Sequence, residues 1–113
     1  MDVIFSTEKL RKLCNSNKEL QRKYGAQKAK KIQQRLNELR AVETLADLSH
    51  IPPPRCHELR GNREGQFAVD TTHPFRMIFE PAHHPVPLLP DGGIDKLRVT
   101  TIRILEVDIN YHD

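Results

Sequence analysis

The chain has 113 residues and a mass of 13.1 kDa, room for one compact domain and too little for two. Charged residues make up 29% and apolar residues 37%, with four Phe, two Tyr and no Trp, so the core is small and aliphatic. No run approaches the roughly 18 apolar residues of a membrane span, the opening is not expected to direct secretion, and Cys14 and Cys56 without CxxC spacing suggest a reducing, cytoplasmic setting.

The formal net charge of +3 is unevenly spread. Residues 1–40 hold 11 Lys and Arg against four acids, a balance of +7, and the remainder holds seven against 11, or −4. A basic N-terminal part suggests an anionic partner, nucleic acid or an acidic protein segment, and is equally compatible with a solvated helix face.

In chain order, Val3-Ile4-Phe5 reads as an edge strand, and Ser6-Thr7-Glu8 hands it over to a brief helix with Leu10 and Leu13 on one face. Ser16-Asn17-Lys18-Glu19 fits a capping box that starts a second helix, whose apolar side is Leu20 and Tyr24. Gly25 breaks or caps it. Ala29, Ile32, Leu36 and Leu39 then recur at steps of three and four, the period of an amphipathic helix. Leu45 and Leu48 continue a last turn, and the run Ile51-Pro52-Pro53-Pro54 stops it, because proline donates no helical hydrogen bond.

Beyond the prolines the period changes to two. Phe67 and Val69, then Phe75, Met77 and Phe79, alternate with other residues and predict two half-buried strands joined as a hairpin by Thr71-Thr72-His73-Pro74. Residues 81–98, with four of the eight prolines and Asp91-Gly92-Gly93, read as a long loop or extended hairpin tip. The strongest strand spans 99–109, with Ile102 and Ile104 on one face and Leu105 and Val107 on the other, a phase change that implies burial on both faces or a β-bulge. The order strand, helices, three strands predicts one α+β domain over 1–113, with the N-terminal strand and helices packed on a small, mostly antiparallel sheet.

Three places hold residues suited to chemistry. Arg55-Cys56-His57-Glu58-Leu59-Arg60-Gly61-Asn62-Arg63-Glu64-Gly65 enters the Phe67 strand with arginines, a histidine and two glycines, a composition that can cradle a phosphate and equally forms a charged turn. Arg76 interrupts an apolar strand and stands on the face opposite Phe75 and Met77, where it requires an anion or a cross-strand salt bridge to Asp70. Tyr111 and His112 follow a buried strand and supply a phenol and an imidazole, groups suited to stacking and proton transfer. The six histidines show no metal-ligand spacing, so no metal or cofactor is expected.

Taken together, His57 through Phe67, the strand Phe75-Arg76-Met77-Ile78-Phe79 and the ending Tyr111-His112 resemble the RelE/ParE toxin superfamily, and within it HigB-like toxins. Members of that superfamily show a His-x-Leu-Lys-Gly-Asp-Arg-x-Gly stretch, an aromatic-Arg-Ile-x-Phe strand and an Asp-Tyr-His ending. The resemblance implies a RelE/ParE-like fold and a ribosome-dependent mRNA endoribonuclease that inhibits translation. It implies a cognate antitoxin as partner, a small helix-turn-helix protein that alone contacts operator DNA, together with ribosome and mRNA. Carried over by position, His57 and His112 transfer protons, Arg76 and Arg60 stabilise the phosphate, Tyr111 stacks or positions the attacking oxygen, and Arg63 contacts RNA; the charge of the basic helices adds Lys30 and Lys31 as RNA contacts. Lys30 and Lys31 face either rRNA or an acidic antitoxin segment.

The chain departs from the family pattern in four places. Asn110 stands where relatives often have Asp, Arg60 replaces the usual Lys, Asp70 is acidic where many relatives are basic or neutral, and the 81–98 segment is longer than in short members. A ParE-like toxin acting on gyrase, a catalytically weak member, and a DNA-binding antitoxin are the competing readings. Three strands after the helices argue against the last.

Overall fold

The computed structural model describes residues 1–110. Strand β1 (Asp2–Phe5) is followed by helices α1 (Glu8–Cys14), α2 (Asn17–Tyr24) and α3 (Ala26–Ala41), then strands β2 (His57–Glu58), β3 (Phe67–Asp70), β4 (Arg76–Pro81) and β5 (Thr101–Ile109). The strands make one sheet in the order β1-β5-β4-β3-β2; β1 pairs parallel with β5 and the other pairings are antiparallel.

Local chemistry accounts for the helix ends. The Thr7 hydroxyl accepts from the Leu10 N–H at 3.1 Å, and Ser16 Oγ accepts from the Glu19 N–H at 3.2 Å, each satisfying a donor that the first turn leaves without an intrahelical partner. At Ser16 the Glu19 carboxylate takes Arg22 as partner at 3.2 Å. A reciprocal capping box forms instead at Thr44 and Asp47, around the short 3-10 turn Leu45–Asp47. Gly25 has φ +87°, a conformation that costs glycine little, and its N–H closes α2 while its carbonyl opens α3, so the two helices join without a loop.

One face of the sheet and the helices enclose the core. Leu20, Ala29, Ile32, Leu36 and Leu39 meet Phe67, Met77, Phe79, Ile102 and Ile104 there, all buried. Phe67 and Phe79 are register partners, and their rings stack at a 5.8 Å centroid separation. Burying each large side chain contributes about 1.5–3 kcal/mol. A second, smaller cluster of Leu59, Ala68 and Ile78, with Leu105 and Ile109 against it, lies on the far face of the sheet.

Several expectations are corrected. The final strand begins at Thr101, since Lys96–Arg98 form a 3-10 turn before it. Val107 belongs to the main core with Ile102 and Ile104, not opposite them with Leu105. The cause is in the pairing: Phe79 opposes Ile104 while Ile78 opposes Glu106, and Arg76 opposes Ile109, so β5 gains one residue at each of two bulges and its alternation resets twice. His57-Glu58 is a strand and not only a charged turn, which gives five strands. The 81–98 segment is shorter at its start because Pro81 still belongs to β4, and its tip is the bridge Leu88 to Ile94. His83 Nε2 accepts from the N–H groups of Thr100 (3.0 Å) and Thr101 (3.3 Å) and ties the two ends of this excursion together.

Candidate functional site on the far face of the sheet

Side chains alternate along a strand, so the register sorts the far face into rows. Asp70 and Arg76 are partners, with Ile109 next to Arg76; His57, Ala68, Ile78 and Glu106 form the second row; Glu80 and Arg103 form the third. The apolar floor is Ala68 and Ile78, and the charged groups stand around it.

Each of these arginines meets a carboxylate. Arg55 binds Asp70 with a fork of two bonds, Nε to Oδ2 at 2.8 Å and Nη2 to Oδ1 at 3.0 Å. Arg76 Nε lies 3.8 Å from the same Oδ1, and its side chain is 13% exposed. Arg63 reaches Glu106 at 3.1 Å and Gln66 at 3.1 Å, and Arg103 reaches Glu80 at 2.7 Å. Opposite charges placed directly across a strand pair stabilise by about 0.2–1 kcal/mol. The salt bridge from Arg76 to Asp70 that the sequence allows is therefore formed, with Arg55 as an additional partner.

Asp70 is held by its backbone as well. Its N–H donates to the Pro54 carbonyl at 2.8 Å, and its carbonyl accepts from Nε of Arg35 at 2.6 Å. Arg35 is 2% exposed, within the apolar stripe of α3, and its other arm reaches Glu38 at 3.1 Å. His57 Nδ1 is 3.0 Å from the Arg55 carbonyl oxygen. A carbonyl only accepts, so the proton resides on Nδ1, and in the neutral ring Nε2 is the basic nitrogen.

The structure thus brings His57, Arg63 and Arg76 to one face. Arg60 is exposed and occupies the N-cap position of the 3-10 turn Gly61–Arg63, beside the entrance to β3. Lys30 and Lys31 are exposed on α3, which packs on the opposite face of the sheet, so they do not join this group. Tyr111 and His112 lie outside the described residues. Sequence reasoning missed the roles of Arg35, Arg55 and Glu106. A signal for Arg35 existed: it falls three residues after Ile32 and four before Leu39, on the buried stripe.

Both thiols are poor nucleophiles. Burial pushes Cys14 up to about 11 against the opposing pull of Arg40 and Lys23, and pushes Cys56 up to about 11 against Lys96. Among the described residues no group of three or more His, Cys, Asp or Glu could hold a metal ion, and no helix is long and apolar enough to cross a membrane.

Comparison of the sequence finds no matching protein-family model and no matching curated protein. Among solved structures the chain is similar to a YoeB/ParE toxin from Agrobacterium tumefaciens, with a TM-score of 0.60 and 10% identity, over 98% of this chain and 100% of that one. The α+β fold, three helices on a five-stranded and mostly antiparallel sheet, is that toxin's fold.

Proposed function

We propose that this chain is the toxin of a toxin–antitoxin system and acts in the cytoplasm as a ribosome-dependent mRNA endoribonuclease. The observation that carries the reading is the placement of His57, its ring oriented by the Arg55 carbonyl, one row from Arg76 on the same sheet face. The fold shared with a YoeB/ParE toxin supports it.

The chemistry needs no metal or cofactor. The 2′-OH of the RNA attacks the adjacent phosphorus, the P–O5′ bond breaks, and a 2′,3′-cyclic phosphate and a free 5′-OH result. A base removes the 2′ proton, cations balance the charge that develops on the phosphoryl oxygens, and an acid protonates O5′. His57 is assigned the first proton transfer, for which its Nε2, buried in this structure, is uncovered as RNA binds, and His112 the second. Arg76 and Arg60 are assigned the phosphoryl oxygens, Arg63 a backbone contact, and Tyr111 stacking on a base. Lys30 and Lys31, on the other side of the molecule, are assigned to rRNA or to an acidic segment of the antitoxin. The antitoxin is a small helix-turn-helix protein, through which alone the toxin reaches operator DNA.

A second reading, a ParE-type toxin that acts on gyrase by protein contact, is favoured by one observation: Asp70, Glu106 and Glu80 neutralise the arginines of the far face. Cell-free translation followed by primer extension on the message separates the two. The ribonuclease reading predicts new 5′ ends with the wild type that vanish with Arg76→Ala and weaken with Tyr111→Ala. Intact message together with inhibited supercoiling by gyrase assigns the second reading instead.

A further inference from the structure

We propose that Arg55 and Arg76 form a phosphate seat on the far face and that Asp70 is its built-in competitor, a carboxylate lodged where a backbone phosphate of the RNA would bind. The inference rests on the ribonuclease reading for the identity of the ligand. It goes beyond that reading in adding Arg55 to the binding groups and in giving Asp70 a regulatory part.

Geometry supports the seat in three ways. The fork from Arg55 to Asp70 is the two-bond arrangement that guanidinium makes with carboxylate and phosphate alike, and Arg76 approaches the same oxygen from the neighbouring strand. A cavity of about 250 Å³ opens beside them, lined by Arg55, Asp70, His73, Pro74, Phe75 and Arg76. That is somewhat below the roughly 300 Å³ at which pockets for drug-sized ligands begin, a size for a phosphate with part of a nucleotide.

Arg55 itself supplies the third observation. Its φ is +53°, the left-handed region, and it is the one non-glycine residue among the described residues held there. Such a conformation costs arginine about 1 kcal/mol or more, persists where the surroundings impose it, and clusters at functional sites. Here the neighbouring backbone fixes it: the Pro54 carbonyl accepts from the Asp70 N–H, and the Arg55 N–H donates to the Ile51 carbonyl at 3.3 Å. This fixes the backbone from which the guanidinium reaches Asp70 beside the cavity.

Asp70 is positioned as a competitor and not as a ligand. Its backbone is pinned on both sides, by Pro54 and by the buried Arg35, so the carboxylate stays tethered at the edge of the seat and leaves the fork only by rotation of its own side chain. Two anions then share one pair of guanidinium groups, and like charges at that distance repel. A phosphate held by several contacts, as a strand presented by the ribosome would be, can displace the carboxylate from the fork, whereas an isolated phosphate binds weakly. The basal affinity for free RNA is kept low by this chain's own side chain.

The test uses the full chain and reads phosphate binding directly, so that it stands apart from the cleavage assay. Inorganic phosphate and a short single-stranded oligoribonucleotide are titrated by NMR into wild type, Asp70→Asn and Asp70→Ser, with folding checked by circular dichroism. Either Asp70 variant is expected to bind both probes at least about fivefold more tightly than wild type, the range open to a charge-assisted fork relieved of its competitor. Adding Arg55→Gln to Asp70→Asn is expected to return the affinity to the wild-type level. Unchanged affinity in both Asp70 variants overturns the proposal, as does a gain that persists without Arg55. A gain with phosphate in a protein that cleaves no message leaves the seat standing and removes only the ribonuclease reading.

Discussion

At the scale of single residues, one side chain that holds the fold together reads in the sequence as ordinary surface charge. Arg35 lies in the core stripe of α3 and donates to the Asp70 carbonyl and to Glu38. Truncating it leaves a buried carbonyl without its donor, so Arg35→Ala is expected to lower the unfolding free energy by about 2–4 kcal/mol. Arg35→Lys should recover less than half of that in urea titrations, because an ammonium group cannot serve both acceptors in a planar fork. The cysteines yield a second expectation. Their folded pKa is raised from 9.0 to about 11, so their contribution is complete below pH 9 and is lost as the pH climbs to 11, where only the unfolded chain ionises first. The loss amounts to at most roughly 2–3 kcal/mol per thiol. Urea unfolding across that window, for wild type and Cys56→Ser, should show the stability gap between them narrowing as the pH rises.

At the scale of elements, the helices were legible because their apolar residues keep a strict period, from Leu20 through Leu39, and because Ser16 and Gly25 mark their ends. Leu36→Ala on that stripe should cost about 2–5 kcal/mol, while Lys30→Glu on the exposed side should change stability by no more than about 0.5 kcal/mol. The hairpin of β3 and β4 was equally legible, down to the pairing of Asp70 with Arg76. Strand β2 was not, since two residues carry no alternation, and its partner β3 supplies the pairing that defines it. Val107 was misplaced because a bulge is set by the neighbouring strand and leaves no mark in the alternation itself. The 82–98 excursion has its own structure, and His83 holds its base. His83→Ala is expected to speed hydrogen exchange at Thr100 and Thr101 by at least about tenfold while leaving the helix amides unchanged, since opening there is local.

At the scale of the whole molecule, charge is segregated by face. The basic side chains of residues 1–40 include Lys30 and Lys31 on the helical side, and the far face sets its arginines against Asp70, Glu80 and Glu106. Sequence alone locates the arginines and the basic half, and it identifies Asp70 as a departure. It does not disclose that one carboxylate serves both Arg55 and Arg76, because 15 residues and a tight turn separate Arg55 from its partner. On the proposed ribonuclease reading, the helical side is assigned to docking and the far face to the reaction. The direct test is primer extension on message from translating ribosomes, comparing wild type, Arg76→Ala and the double variant Lys30→Glu/Lys31→Glu at matched ribosome occupancy. Cleavage is predicted to fall at least about 100-fold with Arg76→Ala, the usual loss when a charge-stabilising donor is removed, and to keep the same cut positions in the lysine variant. Wild-type cleavage by Arg76→Ala would contradict the account.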